Sequence, residues 1–168
     1  MEQTKALSSL SLKECCKPFG DSEWAQLAAF LSFTEALGFI HHSHHWQTSG
    51  LEFYGNHLLF QRLYEGIAPE VDLIGEKLVG LSNEPKLTNY FARLEVMNMF
   101  MSSVTRPSMS YLVVSLLAEK TYIELGKRLL EDLGSKSPGL ENMIAGILDK
   151  HEGHVYLLQQ AVVQQRKK

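Results

Sequence analysis

Apolar residues recur at helical spacing in four long segments of the chain, and no segment alternates in the two-residue rhythm of a strand. The first, 21–49, opens with Asp21 or Ser22 as N-cap and carries Leu27, Phe30, Leu31, Thr34, Leu37, His41 and His45 along one stripe. The second, 52–81, presents Phe60, Leu63, Tyr64, Ile67, Val71, Ile74 and Leu78 on one face. Pro69 inside it removes a backbone hydrogen bond, which predicts a bend rather than a boundary. The third, 109–133, stops at Gly134, and the fourth runs over 138–165 from Pro138. Between the second and third lies a long connection, 82–108, in which Pro85 and Pro107 flank an apolar stretch at 87–101. The pattern predicts an all-α fold, a four-helix bundle with a short helix in the long crossover between helices two and three.

Size and composition fit this picture. A domain of 168 residues buries about two thirds of its unfolded surface, so one core suffices. No run of eighteen apolar residues is present to span a bilayer, and the N-terminus lacks the apolar stretch and cleavage site of a secretory signal, so a cytoplasmic protein is expected. The expected organisation is a flexible tail over 1–20, a bundle over 21–165 and a basic tail over 166–168. Cys15 and Cys16 are adjacent within the first tail and read as reduced surface thiols. A net charge of -3 excludes a surface that is basic throughout. Contact with DNA would therefore fall to Lys5, Lys13, Lys17, Arg166, Lys167 and Lys168, weak groups made effective only by repetition over an assembly.

Two groups of metal-ligand residue types stand out: His41, His42, His44 and His45 before Trp46, and His57 with Asp72 and Glu76. His41 and His45 share a helix face, as do His57 and Gln61, and Asp72 and Glu76. His57 and Asp72 are separated by about 22 Å along a helix axis, so one ion cannot bind both within one chain. Antiparallel pairing of the second helix with its own copy resolves this, bringing His57 of one chain opposite Asp72 and Glu76 of the other. Imidazole nitrogen with carboxylate oxygen and open positions suits Fe(II) and an oxidant.

The run His45-Trp46, Gly50, Phe53, His57, Tyr64, Asp72 and Glu76 resembles the signature of the Dps-type miniferritins: a His-Trp pair, a second His twelve residues on, and Asp-x-x-x-Glu fifteen further. The match is tight over about forty residues, and the helix layout and His154-Val155-Tyr156-Leu157 extend it loosely. The resemblance implies a ferritin-like bundle in a homo-oligomeric hollow shell of twelve subunits. It implies ferroxidase centres between subunits, Fe(II) oxidation preferentially by hydrogen peroxide, and storage of ferric mineral. Carried over, His45 and His57 are ligands from one subunit and Asp72 and Glu76 from its two-fold mate, with Trp46 packed beside the centre. The family usually has Asp where this chain has Gln61, an amide that brings no charge. The second iron position is then the weaker one, and His41, one turn before His45, is a candidate replacement ligand.

Other candidates have plainer readings. His42 and His44 face away from the His41 and His45 stripe and read as solvated or packing residues. His151 falls on the Leu140, Ile144, Ile147 stripe as a hydrogen-bonded core histidine, and His154 is ambiguous. Glu119 falls on the Leu112, Leu116, Ile123, Leu130 stripe as a hydrogen-bonded structural acid. A di-iron site inside one bundle is disfavoured because the chain has no Glu-x-x-His. Met97, Met99 and Met101 read as packing. The resemblance also implies acidic channels for iron entry, for which Glu131, Asp132, Glu141 and Asp149 are the candidates. The competing function is a DNA-binding or structural shell whose ferroxidase activity is impaired, with a bundle-centred diiron or haem ferritin third.

Overall fold

The computed structural model describes residues 10–166, with side chains through Val163. The longer elements are all α-helices: α1 (Leu12–Cys16), α2 (Ala25–Gln47), α3 (Phe53–Glu65), α4 (Ile67–Ser82), α5 (Tyr90–Val104), α6 (Tyr111–Leu133) and α7 (Pro138–Arg166). Short 3₁₀ turns occupy Lys17–Phe19, Pro85–Thr88 and Gly134–Lys136. The bundle is made by α2, the α3–α4 pair, α6 and α7, with α5 laid across α2 in the long crossover.

The central element is α2, which contacts α1, α3, α4, α5 and α6. A helix wrapped on several sides is apolar nearly all round. Leu27, Ala28, Ala29, Phe30, Leu31, Phe33, Ala36 and Leu37 are accordingly all buried, where one stripe was expected. Gly126 of α6 lets that helix approach closely, since a Cβ there would lie 2.5 Å from Leu148 and 3.1 Å from Phe30. Asn89 caps α5 by accepting from the backbone N–H groups of Phe91 and Ala92. Met97 is buried, and Met99 and Met101 pack partly buried against the core, so the three methionines are packing residues.

The second predicted helix is two helices. Pro69 offers no N–H to the carbonyl one turn back at Glu65, and its ring crowds that carbonyl, so α3 ends at Glu65 and α4 begins at Ile67. Lys150 Nζ donates to the Gly66 carbonyl at 3.1 Å, satisfying a group freed by the break.

The N-terminal expectation also changes. Residues 12–19 are a helix and a 3₁₀ turn rather than a tail, and they bury Cys15 and Phe19 against the core. Burial pushes the Cys15 thiol up to about 12, with Cys16 and Glu14 acting in the same direction. Cys15 is therefore an inert core thiol, not a surface one, while Cys16 is half-buried. Native protein at pH 8 should alkylate with iodoacetamide at Cys15 at least about 100-fold more slowly than an unfolded control. Peptide mass spectrometry reads the ratio, and equal labelling in both states would contradict this placement. Lys5, Lys167 and Lys168 lie outside the described residues. Among the described residues, no helix is long and apolar enough to cross a membrane.

Candidate metal centres

Two places gather metal-ligand side chains. The first is at the surface, where α2 turns back into α3. Gly50, at φ +86°, makes that turn, a backbone conformation that favours glycine. The reversal lays His45 against His57, with ring centroids 3.7 Å apart and an interplanar angle of 24°. Each Nδ1 donates to the other's backbone carbonyl, at 2.9 Å from His45 and 3.0 Å from His57. Both carbonyls can only accept, so Nδ1 carries the proton in each ring. Such a bond fixes tautomer and ring orientation and leaves Nε2 as the ligand atom.

Around this pair runs an aromatic ladder. Phe53 lies beside His57 at 5.0 Å, and Tyr64 stands edge-on to His45 at 5.2 Å. His42 is stacked on Tyr64 at 4.2 Å and contacts Trp46 at 4.0 Å. His42 is thus a packing residue, as expected, held between Tyr64 and Trp46 by ring contacts with both. Gln61 Nε2 donates to Glu65 Oε1 at 2.6 Å.

Asp72 and Glu76 stand exposed on one face of α4, lining an open groove with Leu31, Val71, Gly75 and Arg93. One chain therefore forms the histidine pair and the carboxylate pair separately. Among the described residues, the single intrachain group of three close metal-ligand side chains lies elsewhere, in the bundle interior.

That second place is built on Glu119 of α6, which is fully buried. Its carboxylate accepts from three imidazoles: His41 Nε2 at 2.8 Å, His154 Nδ1 at 3.2 Å and His151 Nδ1 at 2.5 Å. His151 Nε2 donates to Glu70 Oε2 at 2.9 Å, and Lys150 donates to Glu70 Oε1 at 2.5 Å. On the other side His41 Nδ1 meets Ser115 Oγ at 3.1 Å, and His44 Nδ1 meets the same hydroxyl at 2.8 Å. A neutral His41 that donates to Glu119 must accept from Ser115, so Ser115 in turn accepts from His44. The chain of donors and acceptors closes without a conflict.

The charges follow from this arrangement. Burial acts most strongly on Glu119 and pushes its carboxyl up, but the charge of His151 and the three imidazole bonds together outweigh it and hold Glu119 well below the carboxylate range. Burial pushes His151 down, and Glu119 and Glu70 overcome it, raising His151 to about 9. Burial also pushes Glu70 up, and bonds and charge from His151 and Lys150 reverse this to a lowered value. Burial lowers His41, and it lowers His44 to about 4 with help from the nearby His41. Two carboxylates thus face the imidazolium of His151 and the ammonium of Lys150, and the interior is charge-balanced.

Glu119 and His151 are hydrogen-bonded core groups, as their stripes predict, and His154 joins them. His41 needs a correction. Its position one turn before His45 suggested a ligand for the surface pair, yet both ring nitrogens are engaged inside the bundle, drawn there by the buried charge of Glu119. His44, expected to be solvated or packing, is a buried member of the same network. Glu70 was missed altogether. The signal was present, because Glu70 falls in register with Ile67, Ile74 and Leu78, where an acid needs a partner. Glu131, Asp132, Glu141 and Asp149 are all exposed.

The fold is the ferritin-like four-helix bundle. It is similar to the solved structure of a Dps protein from Vibrio cholerae O1, described as a member of a broad superfamily of ferritin-like diiron-carboxylate proteins. The TM-score is 0.70 over 91% of this chain and 93% of that one, at 16% sequence identity. Likeness at that identity shows the fold alone. No protein-family model matches the chain, and no curated protein matches it.

Proposed function

We propose that this chain oxidises Fe(II), preferentially with hydrogen peroxide, in pockets shared between two copies of itself, and stores the ferric product within a homo-oligomeric shell of twelve subunits. The observation that carries this reading is the His45 and His57 pair. Each ring spends Nδ1–H on the other's backbone carbonyl and keeps Nε2 for a ligand, the preparation expected of a metal-binding imidazole. An exposed carboxylate pair, Asp72 and Glu76, lies further along the same helix pair, and among the described residues it belongs to no close group of three metal-ligand side chains. A second copy running antiparallel supplies each half with the other.

The surface supports such a contact. Phe39 is 61%, Trp46 69%, Leu73 46% and Phe91 68% exposed, on α2, α4 and α5. Phe39 and Trp46 line one groove, and an exposed apolar area of this kind is suited to an interface. In the pocket two Fe(II) ions each give one electron to one hydrogen peroxide, whose O–O bond breaks, and the oxygens leave as hydroxide or water. Two neutral imidazoles and two carboxylates balance one divalent ion. Gln61 adds no charge for a second, which is therefore held more weakly.

Mixed assembly tests the shared pocket. Chains with His57→Ala and chains with Asp72→Ala and Glu76→Ala should each, when assembled alone, oxidise Fe(II) at least about tenfold more slowly than the unaltered protein. Dissociated and reassembled at equal amounts, they should recover about one quarter of the original rate, because one pocket in four regains both halves by chance. A pocket contained within one chain predicts no recovery, and that outcome would refute the proposal. DNA binding through the basic termini is a further part of the proposal, tested by gel retardation at low salt.

A further inference from the structure

The interior cluster lies apart from the shared pocket, and its donors come from three helices of one chain. Its ligand atoms on Glu119, His151 and His154 lie within 4.8 Å of one another. Ligands bonded to one ion at about 2.0–2.2 Å lie about 3.3–3.6 Å apart in a tetrahedron, so side-chain shifts of up to about 1 Å bring these donors onto one ion. His41 Nε2, at 2.8 Å from Glu119 Oε1, is placed to be a fourth donor. We propose that Glu119, His151, His154 and His41 form an intrachain site for one divalent transition ion of borderline softness, such as Zn(II) or Co(II).

The outer groups of the site favour this beyond mere proximity. A metal-bound histidine usually donates its other ring N–H to a carboxylate, which orients the ring and raises its basicity. His151 has that partner in place, since its Nε2–H meets Glu70 at 2.9 Å while Nδ1 faces the proposed ion. Glu70 is itself held by Lys150. On the opposite side His41 Nδ1 has the Ser115 hydroxyl, which can accept as readily as donate. Occupancy exchanges one proton for the ion: His151 releases its Nδ1 proton to solvent and keeps Nε2–H on Glu70, while His41 and His154 each carry their ring proton on the nitrogen that faces away from the ion, His41 Nδ1–H then donating to Ser115.

Three imidazoles with one carboxylate select a borderline divalent ion over Mg(II) or Ca(II), which prefer all-oxygen shells. The four donors are 0 to 5% exposed, with His154 the highest, and no open position faces solvent. A closed shell of this kind characterises structural ions, whereas a catalytic ion keeps a position for water. The ion would tie α2, α6 and α7 together at mid-height instead of turning over a substrate.

The test must separate this site from the shared pocket, so it is run in Asp72→Ala, Glu76→Ala protein with the pocket disabled. Metal-stripped protein dialysed against Co(II) alone should bind one ion per chain, develop the visible absorbance of tetrahedral cobalt, and gain about 5 °C in Tm. His154→Gln keeps an amide N–H for Glu119 and should lose at least about tenfold in cobalt affinity together with the gain in Tm. Anomalous scattering at the cobalt edge from crystals of the pocket-disabled protein should place the ion between Glu119 and His154. Zero uptake in that background, a peak elsewhere, or unchanged affinity in folded His154→Gln overturns the proposal. Each result bears on this site whatever becomes of the iron chemistry between chains.

Discussion

Asp72→Ala should slow peroxide-driven Fe(II) oxidation by about 100-fold while leaving Tm unchanged, as read from ferric absorbance after mixing and from a thermal melt. The separation of the two readouts follows from position. Asp72 is exposed on α4 in the single chain, so removing it empties no core and unpairs no buried group. In the shared pocket it would be one of four protein ligands and half of the negative charge. Losing even an outer partner of a metal ligand commonly costs 10–100-fold, and a direct ligand costs at least as much. His57→Ala is a less clean probe, because it also deletes the bond from the His57 ring to the His45 carbonyl and the stacking of the two rings. Gln61→Asp runs in the opposite direction and should tighten binding of the second, weaker Fe(II) in each pocket. Identical oxidation traces for Asp72→Ala and unaltered protein would sink the assignment of the carboxylate pair.

Much of this architecture can be read from the chain, and the part that cannot has a physical reason. Helical spacing with Gly134 and Pro138 as punctuation located α6 and α7 to within two residues, because those helices each bury a simple stripe. The break at Gly66 was anticipated only as a bend, since whether a proline kinks or ends a helix depends on what meets the freed carbonyls, here Lys150 from a distant helix. Cys15 looked like a tail thiol because five residues of helix carry almost no periodic signal, and its burial is decided by α2 across the gap. The histidine pair was legible as two ligand types twelve residues apart, but their mutual carbonyl bonds depend on the hairpin geometry at Gly50. Glu119 and His151 betrayed themselves as polar groups on apolar stripes, Glu70 carried the same signal unread, and His154 was ambiguous. What local periodicity could not supply was their convergence, since that depends on the relative rotation of helices far apart in sequence. The same limit explains His41, which lies on the correct face for either centre and is claimed by the one with the buried charge.

Metal-free protein in chelator should lose stability as pH rises from 6.5 to 8.5, by about 2–3 kcal/mol in urea unfolding, and Glu119 should be the residue on which that loss depends. His151 titrates near 9 when folded and near its ordinary 6.5 when unfolded. Below pH 6.5 both states hold the proton, and the contribution is complete. Above it the unfolded chain releases the proton first, so the contribution declines as pH approaches 9. The other shifted groups act outside this interval. The lowered values of Glu119 and Glu70 give stability that is lost only as pH falls into the carboxylate range. His44, lowered to about 4 by burial and by the nearby His41, gives stability complete above 6.5. Burial pushes the Cys15 thiol up to about 12, with Cys16 and Glu14 adding to it, and this thiol acts only once an unfolded thiol begins to ionise, near the top of the interval. Glu119→Gln keeps the shape of the side chain but leaves the charge of His151 with Glu70 alone and two other imidazoles with an uncharged acceptor. Breaking a buried ion pair by removing one partner costs about 3–5 kcal/mol, and the dependence on pH should flatten with it. A loss under about 1 kcal/mol, or an undiminished slope between pH 6.5 and 8.5, would mean that the charge on His151 is held by something other than the carboxylate at the bundle centre.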